Sequence, residues 1–190
     1  MSVLAGLRQL TWMAALAALC LPAPAGAVAT AGSAHEYDLK AAFLFNFAQF
    51  VEWPEDAFPS PSTPITIGIV GEDPFGTSLD EIVANETAHD RKLVVRRYKT
   101  VDEVDACHIL FIGHAESKRL DRIPPRLGNH SILTVGETPD FTAHDGMIGF
   151  QMAKNRLRLR INAPAARAAR LVISSKLLRQ AEIVGSEKTR

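Results

Sequence analysis

The sequence is poor in most of what marks an enzyme or a nucleic-acid binder. It carries two cysteines in 190 residues, Cys20 and Cys107. It balances 21 basic against 21 acidic residues, so it lacks the basic excess that a nucleic-acid partner requires. There is no G-x-G-x-x-G after a strand, no P-loop, no G-x-S-x-G elbow and no H-E-x-x-H. There are no Cys/His pairs at zinc spacing either. We therefore expect no catalytic residues, no cofactor and no metal. Beyond the first 27 residues no stretch is long and apolar enough to span a bilayer. The six histidines, at 35, 89, 108, 114, 130 and 144, are scattered. Cys107 and His108 are neighbours in a strand-like run, where adjacent side chains point to opposite faces, so they do not form a nucleophile pair.

What is present begins with an address. Arg8, a Leu/Ala run from Leu10 to Leu21 and the small residues Ala25-Gly26-Ala27 read as a signal peptide over 1–27, cleaved after Ala27 or, failing that, Ala29. Leu19 before Cys20 departs from the small residue that a lipoprotein signal needs. Export implies an oxidising compartment, yet cleavage leaves only Cys107. The mature chain then forms no internal disulfide, and Cys107 reads as a small buried hydrophobe.

Aromatic residues are few, but four of the nine Phe stand together: Phe43, Phe45, Phe47 and Phe50. Residues 28–36 read as a loose lead-in. A helix is predicted from Glu36 to Trp53, closed by Pro54, which has no N–H to donate. A helix apolar nearly all round must be covered nearly all round. It is a central core helix, or one with a core on one side and a partner on the other. Asn46 and Gln49 are its only polar residues between Ala41 and Val51. Phe45, Asn46, Gln49 and Trp53 are the candidate partner contacts.

Four prolines make residues 54–64 irregular. Alternation follows: strands over Ile65–Val70, Leu93–Tyr98, Cys107–Ile112 and Ser131–Val135, helices over Pro74–Asn85 and Glu116–Leu127, and a short turn at Val101–Ala106. Met147–Ala153 and Arg156–Ile161 form a hairpin across Lys154-Asn155. In its second strand Arg156, Arg158 and Arg160 share one face. They suit an acidic partner, or else a solvated edge. Asn162 caps a last helix running to about Ile183, and residues 185–190 are a frayed tail. The order predicts one α/β domain over 37–184, a three-layer sandwich. Its sheet is mainly parallel with helices on both faces, and the antiparallel hairpin lies near the C-terminus at the sheet's edge.

In such sheets ligands favour the carboxyl ends of the strands. Those ends carry Glu72, Asp73, His114, Glu137 and Thr138, the candidate ligand contacts. The same residues also read as loop and cap residues. Asp73 before Pro74 is a natural helix start.

Several runs together resemble one family. KAAFLFNFAQFVEWP, RKLVVRRY, CHILFIG, ILTVGETPDF, GMIGF, RLRLRIN and AARAARLVISSKLLRQA are similar, in order, to the YfiR family of exported bacterial proteins, also called DUF4154. The resemblance covers Tyr37 to Ala181. It implies a non-enzymatic periplasmic regulator of α/β fold, often dimeric. Such a regulator binds the periplasmic region of an inner-membrane diguanylate cyclase and represses it. An OmpA-like outer-membrane lipoprotein sequesters the regulator, and the outcome is control of cyclic di-GMP and biofilm. Family members with more cysteines use internal disulfides; that property does not carry over to a chain keeping only Cys107. The rival reading from the residues is a periplasmic small-ligand sensor using the strand-end loops.

Overall fold

A computed structural model describes residues 31–116, 127, 130–154 and 156–185. The expected signal peptide, most of the helix expected over Glu116–Leu127, Asn155 and residues 186–190 lie outside the described residues. The elements are α1 (Ala31–Phe50), β1 (Val51–Glu52), β2 (Ile65–Val70), α2 (Ser78–Val83), β3 (Thr87–Ala88), β4 (Arg91–Tyr98), β5 (Ile109–Ile112) and β6 (Leu133–Gly136). They continue with β7 (Ile148–Ala153), β8 (Arg156–Asn162), α3 (Ala163–Ala168), β9 (Val172–Ile173), α4 (Ser175–Leu178) and β10 (Ala181–Val184).

Eight strands form one sheet in the order β10-β8-β7-β6-β5-β2-β4-β3. Pairings are parallel except β7–β8 and β3–β4. This is the expected mainly parallel α/β sheet. Strand β2 is buried along its whole length, as a central parallel strand must be. Its alternation divides the core. Ile65, Ile67 and Ile69 join Ile109 and Phe111 beneath α1, while Val70 joins Leu110 and Ile112 on the other face with Tyr98, Phe141 and Leu127.

Helix α1 covers the first face with Ala41, Leu44, Phe47 and Ala48, all fully buried. Burying Leu44 or Phe47 contributes roughly 1.5–3 kcal/mol each. The helix begins at Ala31, inside the expected lead-in, and ends at Phe50, three residues before Trp53. Val51 and Glu52 leave it to pair antiparallel with Ile173 and Val172. The Ser174 N–H donates to the Phe50 carbonyl at 2.8 Å. The helix end is thus tied to the C-terminal segment.

That segment corrects the sequence reading. The single helix expected from Ala163 to about Ile183 is two short helices separated by β9 and followed by β10. Asn162 does cap the first, its side chain accepting from the Ala165 N–H at 3.0 Å. Arg170 then adopts the left-handed region, at φ 61°, which stops an α-helix. Ser174 restarts one by accepting from the Lys176 N–H. The alanines favour helix, but pairing of Val172-Ile173 with the end of α1 overrides them. Strand β10 lies parallel along β8, so the hairpin sits inside the sheet's edge rather than forming it. Helix α2 is also shorter than expected, residues 74–77 forming turns.

Two local devices hold the ends of the strands. The Phe141 ring lies between two glycines: a Cβ at Gly136 or at Gly146 would fall 2.3 Å from it. Close ring-on-backbone packing therefore requires glycine at both positions. At the opposite ends of the strands, buried His108 accepts the Thr66 N–H on Nδ1 at 3.1 Å. Its Nε2–H donates to the Ala57 carbonyl at 3.3 Å, which fixes the neutral tautomer. Phe58 stacks on its ring, centroids 4.5 Å apart, and Arg91 covers Phe58 at 3.8 Å. Arg91 also donates to the carbonyls of Ser60, Pro61 and Thr63, so the proline-rich loop has a fixed anchor.

Gly136→Ala and Gly146→Ala should each destabilise the fold by about 3 kcal/mol, the upper part of the range for overpacking; urea unfolding measures it, and a change below about 1 kcal/mol contradicts the packing described. Burial holds the His108 pKa below its ordinary 6.5. A depressed folded-state pKa contributes stability present above the unfolded value and lost as pH falls through the folded one. Melting temperature should therefore drop as pH falls below about 6.5, and His108→Gln should flatten that acid slope.

Candidate functional site

The carboxyl ends of β5 and β6 meet the start of α1 around a cleft of about 480 Å³. It is lined by Glu36, Tyr37, Lys40, His114, Glu137 and Pro139, with Phe150, Gln151 and Met152 from β7. Helical spacing places Glu36 and Lys40 one turn apart. Gly136 ends β6 and Glu137 follows it. The Lys40 side chain, only 4% exposed, lies between two carboxylates: Nζ is 2.5 Å from Glu36 Oε1 and 2.7 Å from Glu137 Oε2. It also sits 4.4 Å above the Tyr37 ring, and the Tyr37 hydroxyl donates to Glu137 Oε2 at 3.3 Å.

The electrostatics follow from this geometry. Burial pulls the ammonium towards its neutral form, but the hydrogen bonds to Glu137 and Glu36 and the Glu137 charge outweigh it. The Lys40 pKa therefore lies above its ordinary value. Burial first, then the Glu137 charge, raises that of Tyr37. Lys40 thus stays charged across the physiological range, and its ion pairs tie α1 to the end of the sheet.

Of the candidate ligand contacts, the fold brings His114 and Glu137 into this cleft. Thr138 follows Glu137, and its hydroxyl is buried with no hydrogen-bond partner. Asp73 does not join them. Its Oδ1 accepts from the Phe75 N–H at 2.8 Å and its Oδ2 from Arg97 at 2.7 Å, so it serves the turn into α2. Glu72 is exposed and is not among the lining residues. Tyr37, Lys40, Phe150, Gln151 and Met152 were not read from the sequence. The Glu36/Lys40 spacing was the available signal, and by itself it describes an ordinary surface pair.

The candidate partner contacts fall into two groups. Phe45, Asn46, Gln49 and Trp53 are all half-buried. Phe43, Phe45, Phe50 and Trp53 pack against the core from its margin, and among the four Phe of the cluster only Phe47 is fully buried. Gln49 donates to the Thr87 carbonyl at 2.6 Å. The Trp53 indole N–H donates to the His108 carbonyl at 3.2 Å. Both are therefore committed to the fold through their polar atoms. Asn46 has no hydrogen-bond partner among the described residues and is not a buried orphan, so its amide meets solvent.

The arginine row lies as expected on one face of β8, opposite Leu157, Leu159 and Ile161. Arg156 and Arg158 are exposed and, among the described residues, have no carboxylate partner. Arg160 is half-buried. Its Nε stands 3.6 Å from Glu182, too long for a hydrogen bond, and is a buried donor left without one. Among the described residues no group of three or more His, Cys, Asp or Glu is arranged to hold a metal. Burial pushes the Cys107 thiol up to about 12, so it is not a thiolate nucleophile at neutral pH.

Lys40→Met leaves Glu137 against the sheet without its cation. It should cost about 3 kcal/mol, as loss of one member of a buried pair does, and Lys40→Met/Glu137→Leu should recover part of that loss. Chemical denaturation distinguishes this from a surface pair, whose removal changes stability by under about 1 kcal/mol.

No curated protein matches the chain. A family model described as YfiR/HmsC-like matches residues 37–182. That span runs from Tyr37 at the cleft to Glu182 in β10, and so takes in the Phe-rich turns of α1, the main sheet as far as the first half of β10, and the arginine row. On this match, over more than half of its length, the chain belongs to the YfiR/HmsC-like family.

Proposed function

We propose that the protein is a non-enzymatic periplasmic regulator that binds the periplasmic region of an inner-membrane diguanylate cyclase and holds it inactive. Cyclic di-GMP and biofilm formation fall as a result. Membership of the family implies a regulator of cyclic di-GMP signalling. The observation that carries the finer reading is the exposed Arg156/Arg158 pair, two cations without carboxylate partners among the described residues, on one face of β8. Arginines held this way recognise carboxylates through paired hydrogen bonds. The half-buried aromatic margin of α1 supplies the apolar part of such a surface, since aromatic side chains are favoured interface anchors.

The regulator acts by population shift: it represses only by binding the inactive cyclase more tightly than the active one. Release follows when an OmpA-like outer-membrane lipoprotein competes for it. A homodimer is compatible with the same scheme. The span 1–27 acts as the export signal, and the mature chain works as one domain.

Tagged wild-type protein should co-purify a membrane-bound cyclase from a strain that encodes one. Arg156→Glu/Arg158→Glu should reduce that recovery at least tenfold, while changing stability by no more than about 0.5 kcal/mol, as surface substitutions do. Undiminished recovery with the charge-reversed protein would remove the arginine row from the interface.

A further inference from the structure

The cleft beneath the start of α1 has an unbalanced charge that the fold itself does not use. Two carboxylates, Glu36 and Glu137, face one ammonium, Lys40. Lys40 is already occupied by one oxygen of each and by the Tyr37 ring. The second oxygen of Glu36 has no hydrogen bond or ion pair among the described residues, and the Glu36 side chain is 27% exposed. The second oxygen of Glu137 receives only the Tyr37 hydroxyl, at 3.5 Å. An anion entering here would meet both carboxylates, with the Lys40 ammonium already held between them. A cation would meet an excess negative charge at short range, in surroundings less screened than open solvent.

The rest of the lining is mixed, with His114 and Gln151 beside Pro139, Phe150 and Met152. Phe150 is 1% exposed at the cleft, and Met152, at 49%, is one of the large apolar side chains left exposed among the described residues. Methionine adapts its shape to apolar groups of varied outline. A cleft of about 480 Å³ falls in the range that holds small organic ligands. It also lies at the carboxyl ends of parallel strands, where ligands of open α/β sheets collect.

The geometry points to a binding site for a small organic cation, an amine with a compact apolar body, seated with its nitrogen on Glu36 and Glu137 and its body against Phe150 and Met152. The arginine row of β8 adjoins the rim of this cleft, where Arg160 donates to the Pro139 carbonyl at 3.5 Å and Arg158 is paired with Gln151, so occupancy of the cleft and binding of a protein partner are measured separately.

The test is thermal denaturation of the purified protein with three probes sharing one body: phenethylamine, 2-phenylethanol and phenylacetate. The amine should raise the melting temperature by about 3–6 °C at tenfold excess over its Kd; the alcohol should give under half of that and the acid none. Glu36→Gln should abolish the amine's shift; because it also removes one partner of Lys40, the shift is measured against the variant's own unliganded melting temperature. Met152→Lys, at an exposed position, should do the same by placing a second cation at the wall. Several outcomes overturn the proposal: no shift with the amine, equal shifts with amine and alcohol, a shift with the acid alone, or an amine shift unchanged in Glu36→Gln. None of them bears on recovery of the cyclase, so the two readings fail separately.

Discussion

The ammonium of Lys40, buried between Glu36 and Glu137, decides where α1 lies on the sheet. A charge there is stable only while both carboxylates stay within reach, because a buried ion without its partners costs several kcal/mol. Glu36 and Lys40 belong to the helix and Glu137 to the end of β6, so the cluster fixes the helix's start over the strands' carboxyl ends. The other end is fixed by β1 pairing with β9 and by the Ser174 N–H on the Phe50 carbonyl. Between these anchors the helix cannot rotate, and its apolar circumference is divided in a definite way. Ala41, Leu44, Phe47 and Ala48 go inward, while Phe43, Phe45, Phe50 and Asn46 remain at the margin.

That division answers the question posed by a helix apolar nearly all round. It is neither a wholly covered core helix nor a free amphipathic one. Its inner stripe builds the larger core, and its margin leaves aromatic surface half-covered. The arginine row on β8 faces away from α1, on the other side of the sheet, and the two places differ in charge: exposed Arg156 and Arg158 without carboxylate partners among the described residues at the first, two carboxylates around one ammonium at the second. A regulator that meets a protein at one place and a small ligand at the other needs this separation. Coupling between them would run through β7, which lines the cleft and pairs with β8 in the hairpin.

Much of the fold was legible because its strands announce themselves. Ile65–Val70 and the run ending at Ile112 are β-branched or apolar throughout and are bounded by Gly71 and Gly113. The alternation of Arg156–Ile161 gave the correct faces of β8. The C-terminal segment was misread because alanine-rich helix propensity is local, whereas the break at Arg170 depends on a partner strand more than a hundred residues earlier. The site was half legible for a similar reason. His114 and Glu137 follow from the strand-end rule, but Asp73 obeys the same rule and is consumed by a turn. Lys40 has no local signal of burial, since only the fold brings Glu137 to it.

Repression of a cyclase by contact in the periplasm, as proposed, would be read in the level of cyclic di-GMP in cells. Deleting the gene in a strain that keeps the partner cyclase should raise cyclic di-GMP, and restoring the wild-type gene should lower it again. An unchanged or lower level on deletion would contradict the account.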